Sequence, residues 1–223
     1  MHDVLPIPGH EEYEEIGSNS LQQLSWHTED AFHPCRGDYV ALMCLKNPDH
    51  VETTVCASTD LPWSEIDVDA LFESEFTIAP DNSHQPPPNR RPSGNAEIDR
   101  LTARSFALIE SWNVNPYKRP IFFGDRQDPY MALDPYKMNT NGWGDRYVQA
   151  FKQLCDTIES GITAVSLEPG DCFFIDNFRA VHGRRSFRPR FDGSDRWLKR
   201  LNITRNIRGS RAWRLAAGDR IIY

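Results

Sequence analysis

Three groups of residues in this chain have the types and spacing to do chemistry together. The first is His27-Thr28-Glu29-Asp30. In an extended segment residues i and i+2 face the same way. His27 and Glu29 can therefore offer an imidazole and a carboxylate to one cation while Thr28 points away. The second is Asp176-Asn177-Phe178-Arg179-Ala180-Val181-His182-Gly183-Arg184, directly after an apolar run. Gly183 makes a tight backbone bend available beside His182. The third is Arg196-Trp197-Leu198-Lys199-Arg200-Leu201-Asn202-Ile203-Thr204. As a strand it turns Arg196, Leu198, Arg200 and Asn202 to one face and Leu201 and Ile203 to the other. Two arginines on one inward face, about 13 Å apart along the strand, are costly unless anions meet them. A guanidinium fork suits a small carboxylic acid, so the pair is spaced for two of them.

Each group alone has a plainer explanation. Short His-x-Glu triplets are mostly surface residues, a lone histidine between valine and glycine is more often packed in a core, and an edge strand can keep its arginines in water. Together they outweigh those explanations. Two imidazoles and one carboxylate with open coordination positions make the facial triad of non-haem iron(II) oxygenases. Arg196, fourteen residues past His182, adds an anchor for a dicarboxylic co-substrate.

The elements that must position these groups are mostly strands. Tyr39 to Leu45, Thr53 to Ala57, Ile162 to Leu167 and Cys172 to Asp176 are apolar or alternating runs bounded by Pro, Gly, Asn, Asp and Ser, which are strand signals. One helix is clear. Tyr147, Phe151, Leu154, Cys155 and Ile158 share one face of a 3.6-residue period, and Gly161 is placed to end it. A second helix is expected from Pro62 or Ser64 to Phe72, with Ser64 as its cap. The proline-rich stretch 80–94 cannot be regular structure and reads equally as a lid or a plain loop. Many short strands with few helices suggest a jelly roll.

The 223 residues suit one domain, 1–223. A net charge of −7, from 25 basic and 32 acidic residues, gives no general pull toward nucleic acid or an anionic membrane. Arg184-Arg185 and Arg188/Arg190 read equally as local anion sites or a solvated loop. Five cysteines (Cys35, Cys44, Cys56, Cys155, Cys172) are an odd number without close pairing. They suggest buried, reduced thiols in a cytoplasmic protein. The first residues lack a signal-peptide pattern, and no apolar run approaches the length of a membrane span. Nothing here sets an oligomeric state.

Leu24-Ser25-Trp26-His27-Thr28-Glu29-Asp30-Ala31-Phe32-His33-Pro34, His182-Gly183-Arg184 and the block Phe187 to Arg200 resemble the clavaminate synthase branch of the taurine dioxygenase superfamily. Within it the likeness is to the free-amino-acid β-hydroxylases, the group of arginine 3-hydroxylase and asparagine oxygenase. The resemblance runs through nearly the whole chain. It implies a mainly β fold with flanking helices around a double-stranded β-helix (jelly roll, cupin-like). It also implies that His27, Glu29 and His182 hold iron(II), that Arg196 pairs with the distal carboxylate of 2-oxoglutarate, and that Thr54 hydrogen-bonds the same co-substrate. Arg200 matches an arginine that takes the substrate's acid group. Asp134 first, and Asp128 second, match acids that grip its amine or guanidinium; each could equally be a turn residue beside its proline.

The activity so implied is hydroxylation of a free L-amino acid, arginine-like, at C3. It uses dioxygen, releases succinate and carbon dioxide, and serves natural-product biosynthesis. Desaturation or ring closure on the same iron centre is the alternative within enzymes. Glu29 argues against halogenation, since related halogenases leave that ligand position to halide. Only 26 residues precede His27, fewer than the family pattern has, which implies an N-terminally shortened sheet. A non-catalytic jelly-roll protein is the reading which that shortening favours.

Overall fold

The computed structural model describes residues 1–10, 12, 20–80, 82–87 and 91–223. In chain order its elements are β1 (His2–Val4), β2 (Leu24–His27), β3 (Tyr39–Lys46), β4 (Glu52–Ala57), α1 (Val68–Leu71) and α2 (Ala96–Val114). They continue with β5 (Phe122–Gly124), β6 (Pro129–Met131), α3 (Asp145–Gly161), β7 (Thr163–Ser166), β8 (Cys172–Asp176), β9 (Ala180–Arg184) and β10 (Trp197–Ile203). Eight strands form two four-stranded antiparallel sheets, ordered β1-β10-β3-β8 and β2-β9-β4-β7. From β2 to β4, and again from β7 to β10, each strand switches sheet. This is the double-stranded β-helix expected from the sequence.

Strand alternation divides the core in two. Val40, Leu42 and Cys44 of β3, Ile175 of β8 and Leu198 of β10 pack in one cluster with Val55 of β4. Cys56 of β4 and Val181 of β9 point the other way, into a cluster with Leu71 of α1 and Phe151, Leu154 and Ile158 of α3. The buried stripe of α3 is the one its period predicts, and Gly161 ends it. Among the described residues no helix is long and apolar enough to cross a membrane.

Several expectations need correction. The helix expected from Pro62 or Ser64 to Phe72 is two pieces: a single turn at Trp63–Glu65, then α1, capped by Asp67 rather than Ser64. Ile66 breaks it, because its side chain is buried with an extended backbone (φ −120°, ψ 134°). Within the stretch 80–94, Asn82–His84 forms one helical turn, while residues 81 and 88–90 lie outside the described residues. The 19-residue helix α2 follows, with the Asn95 side chain accepting from the Glu97 and Ile98 amides. It was not legible because it buries only Leu101 and Ile109, too few to write a stripe.

His182 sits in mid-strand, not at a bend. Gly183 is needed for a different reason: a Cβ there would stand 2.6 Å from the Leu24 carbonyl oxygen. All five cysteines are free thiols, but Cys172 is exposed on β8 rather than buried.

Candidate metal centre

β2 and β9 are neighbours, and their register sets His27 directly opposite His182. The two rings lie 4.8 Å apart between centroids. Glu29 follows the end of β2, and Asp30, with φ +51°, turns the chain immediately after it. The Glu29 Oε2 atom lies 3.7 Å from His27 Nε2 and 3.6 Å from His182 Nε2. Among the described residues these three form the one group able to hold a metal ion, with donor atoms all within 4.8 Å of one another.

The electrostatics fit a cation. Glu29 Oε2 is buried and has no hydrogen-bond partner, an expensive arrangement for a carboxylate oxygen unless something positive completes it. Its Oε1 accepts from Arg200 Nη1 at 2.7 Å. Burial works to raise the Glu29 pKa, but the Arg200 charge and the two histidines overcome it and hold the acid well below the usual carboxylate range. Burial lowers the pKa of His182. It also opposes charge on His27, where Glu29, Asp134 and the Ser25 carbonyl prevail and raise the ring to about 9. His27 Nδ1 donates to the Ser25 carbonyl at 2.8 Å, which leaves Nε2 directed at Glu29, the orientation a metal-binding histidine needs.

The triad opens into a cavity of about 600 Å³ that reaches Arg184, Arg196, Arg200 and Asp134. As the strand reading required, Arg196, Leu198, Arg200 and Asn202 all line it. Arg196 is buried, and burial lowers its pKa to about 10. Its Nη2 donates to Thr53 Oγ1 at 2.9 Å, and its Nε has no partner.

Two of the expected site residues lie away from the cavity wall. Thr54 does not line the cavity; Thr53 does. On β4 the two must face opposite ways, and Thr54, paired with Gly183, turns its hydroxyl to the helix side, buried without a partner. Asp128 is also outside the cavity, where it pairs with Arg179. Asp134 is the acid at the wall.

Other residues at the site escaped the sequence reading as site residues. Arg184 is buried at the cavity wall, and burial, followed by the charge of Arg196, brings its pKa down to about 9. Period-two alternation from His182 would have found it, had the segment been taken as strand rather than bend. Arg185 and Arg190 instead pair at the surface with Glu52 and Asp49. Ser83 and His84, from the proline-rich stretch, stand at the cavity wall, and His84 Nε2 lies 3.2 Å from Asp30 Oδ1. Arg36 is buried outside the cavity and donates to Oγ1 of Thr28, the residue between His27 and Glu29, at 2.8 Å and to the Met131 carbonyl at 2.6 Å.

Comparison with known proteins bears directly on this arrangement. Residues 3–202 match the family described as taurine catabolism dioxygenase TauD, TfdA family. The chain is 67% identical over 223 residues to L-ornithine/L-arginine 3-hydroxylase of Catenulispora acidiphila, covering all of this chain and 65% of that protein. It is 45% identical over 223 residues to enduracididine beta-hydroxylase of Streptomyces hygroscopicus, covering 100% of this chain and 65% of the relative. Among solved structures, the non-heme iron oxygenase OrfP in complex with Fe, succinate and (3S)-hydroxy-L-Arg superposes with a TM-score of 0.88 at 42% identity. That match covers 100% of this chain and 64% of OrfP. The chain thus spans about 65% of the length of these two relatives.

Proposed function

The chain belongs to the taurine catabolism dioxygenase TauD, TfdA family, and from that premise we propose that it is an iron(II)- and 2-oxoglutarate-dependent hydroxylase of a free, arginine-like L-amino acid, acting at C3. The observation that carries this reading is the convergence of His27, Glu29 and His182, with an unmatched carboxylate oxygen between two imidazole nitrogens. Iron(II) held there, with 2-oxoglutarate and dioxygen, supplies the oxidising power to hydroxylate an unactivated C–H bond, releasing succinate and carbon dioxide.

The chain's own residues do the positioning. Arg196 takes the distal carboxylate of 2-oxoglutarate, with Thr53 holding the guanidinium in place. Arg200 takes the substrate's α-carboxylate. One of its nitrogens is committed to Glu29, and its buried Nε has no partner, leaving a donor for an acid beside the metal. Asp134 faces the basic end of the substrate. Holding one carbon of a flexible amino acid near the metal needs both ends gripped. Ser83 and His84 at the cavity wall support the stretch 80–94 as a lid within one domain, 1–223. Five free thiols support a cytoplasmic location, and the likeness to enduracididine beta-hydroxylase supports a place in natural-product biosynthesis.

Anaerobic titration with iron(II) and 2-oxoglutarate tests the centre. A weak visible charge-transfer band is expected in the native chain and not in His182→Ala; a native chain without the band would overturn the reading. A panel of amino acids, scored by succinate release and by product mass, then identifies the substrate. A product heavier by one oxygen is expected with arginine or ornithine. Loss of two hydrogens instead would indicate desaturation or ring closure. The second reading is a jelly-roll protein that binds without turnover. It would give the band with no succinate above the substrate-free rate.

A further inference from the structure

The triad depends on Glu29 staying between two histidines, yet Glu29 lies just beyond the end of β2, where no strand ladder holds it. A single buried side chain takes over. Asn177 is fully buried. Its Oδ1 accepts from the Glu29 amide at 2.6 Å, and its Nδ2 donates to the Glu29 carbonyl at 2.9 Å. The same Nδ2 group donates to the Gly37 carbonyl at 2.9 Å, and the Asn177 amide donates to the Asp38 carbonyl at 2.8 Å. One carboxamide thus occupies both backbone groups of the metal carboxylate residue and ties it to the start of β3.

Asn177 also lies in the short turn between β8 and β9, three residues before the strand that carries His182. The Phe178 amide donates to Asp176 Oδ1, the Ser58 amide to the Arg179 carbonyl at 2.7 Å and the Met131 amide to the Phe178 carbonyl at 2.8 Å. That turn is therefore a fixed platform. Past the clamp the chain leaves Glu29 through Asp30 in the left-handed region (φ +51°), a conformation that costs free energy in a non-glycine residue and persists where its surroundings impose it.

We propose that Asn177 is the positioning residue of the metal centre: its carboxamide fixes the Glu29 backbone, and through it the carboxylate, relative to His182. This rests on the metal reading above. Removing an outer partner of a ligand characteristically weakens metal affinity, whereas a merely structural asparagine would lower stability and leave the affinity of the folded protein alone. The fold contains its own comparison. Asn47, also buried, makes the same kind of clamp at a turn away from the triad, accepting from the Val51 amide and donating to the carbonyls of Val51 and Leu167.

Titration of the full chain with Co(II), followed by visible absorption, tests this, alongside thermal melting of the metal-free proteins. Asn177→Ala should bind Co(II) about 10- to 100-fold more weakly, with an altered Co(II) spectrum. Asn177→Asp keeps the acceptor for the Glu29 amide but turns an oxygen toward the Glu29 and Gly37 carbonyls, and should bind Co(II) more weakly than the wild type; it carries the test if the alanine variant does not fold. Asn47→Ala should melt earlier while binding Co(II) as tightly as the wild type. Asn177 variants with wild-type Co(II) affinity and spectrum, or no weaker than Asn47→Ala, would overturn the role. Failure of the wild-type chain to bind Co(II) would remove the metal reading itself, and this role with it.

Discussion

At the residue scale, the chemistry turns on which polar atoms are already matched. Thr53 and Thr54 are neighbours of identical type, and β4 separates their roles. Thr53 accepts a hydrogen bond from Arg196, while the Thr54 hydroxyl is buried without a partner. Thr53→Val should therefore loosen the guanidinium and raise the 2-oxoglutarate requirement roughly tenfold, the scale of a lost hydrogen bond to a charged group. Thr54→Val should leave that requirement alone and raise stability by up to ~1 kcal/mol, since it removes an unmatched buried hydroxyl. Co-substrate titration and thermal melting of both variants check the contrast. Equal effects on 2-oxoglutarate would mean that Thr53 does not hold the anchor.

At the scale of elements, the β2–β9 contact is what brings the histidines together. Gly183 allows that approach, because a Cβ would meet the Leu24 carbonyl at 2.6 Å and Thr54 Oγ1 at 2.9 Å. The carbonyl is backbone of the neighbouring strand and cannot simply swing away. Gly183→Ala should cost about 1–3 kcal/mol of stability by overpacking and weaken iron(II) binding as β2 is pushed off; an unchanged melting temperature would contradict this. The turn after Glu29 offers a pH-dependent counterpart. His33 accepts from the Cys35 amide at 3.0 Å and packs edge-on against Trp112 and Trp213. Burial lowers its pKa below 6.5, with Asp30 opposing and His84 adding to the effect. A histidine favoured neutral in the folded state contributes stability above its unfolded pKa, and loses it as pH falls below 6.5 and through the folded value. Between pH 7 and 5 the tryptophan emission should report loosening of this stack. His33→Gln should flatten that part of the profile, and an identical profile would exclude His33 as the cause.

At the scale of the whole molecule, the cavity lies between the sheets. The triad comes from β2, the residues just beyond it and β9, in one sheet, while Arg196 and Arg200 belong to the β10 segment of the other. A ligand bound to both should therefore link the sheets. Iron(II) with 2-oxoglutarate at a hundred times its dissociation constant should stabilise by about 2.7 kcal/mol. For a chain of this size that raises the melting temperature by roughly 5–10 °C. Arg196→Met should abolish the increment from 2-oxoglutarate while keeping that from metal alone. A full 2-oxoglutarate increment in that variant would detach Arg196 from the co-substrate. Among the described residues, Met43, Phe174 and Leu201 are exposed on β3, β8 and β10, strands that neighbour one another in register.

Residue types and local periods carried much of this protein. The four apolar or alternating runs and the stripe of α3 are written in patterns of two and 3.6 residues, because burial on one face repeats with the backbone's own geometry. Two histidines, one acid and two arginines were legible as chemistry because few other uses bring those types together. The rest needed the third dimension. Helix α2 buries too little to leave a pattern, and neighbouring threonines of one type cannot be told apart until a strand's register assigns each a face. Asp128 and Asp134 stand equally beside prolines in sequence, and only the packing puts one at the cavity and the other on Arg179. The clamp from Asn177 to Glu29 joins residues 148 positions apart, a contact that no local pattern encodes because it exists only once both turns are folded against each other.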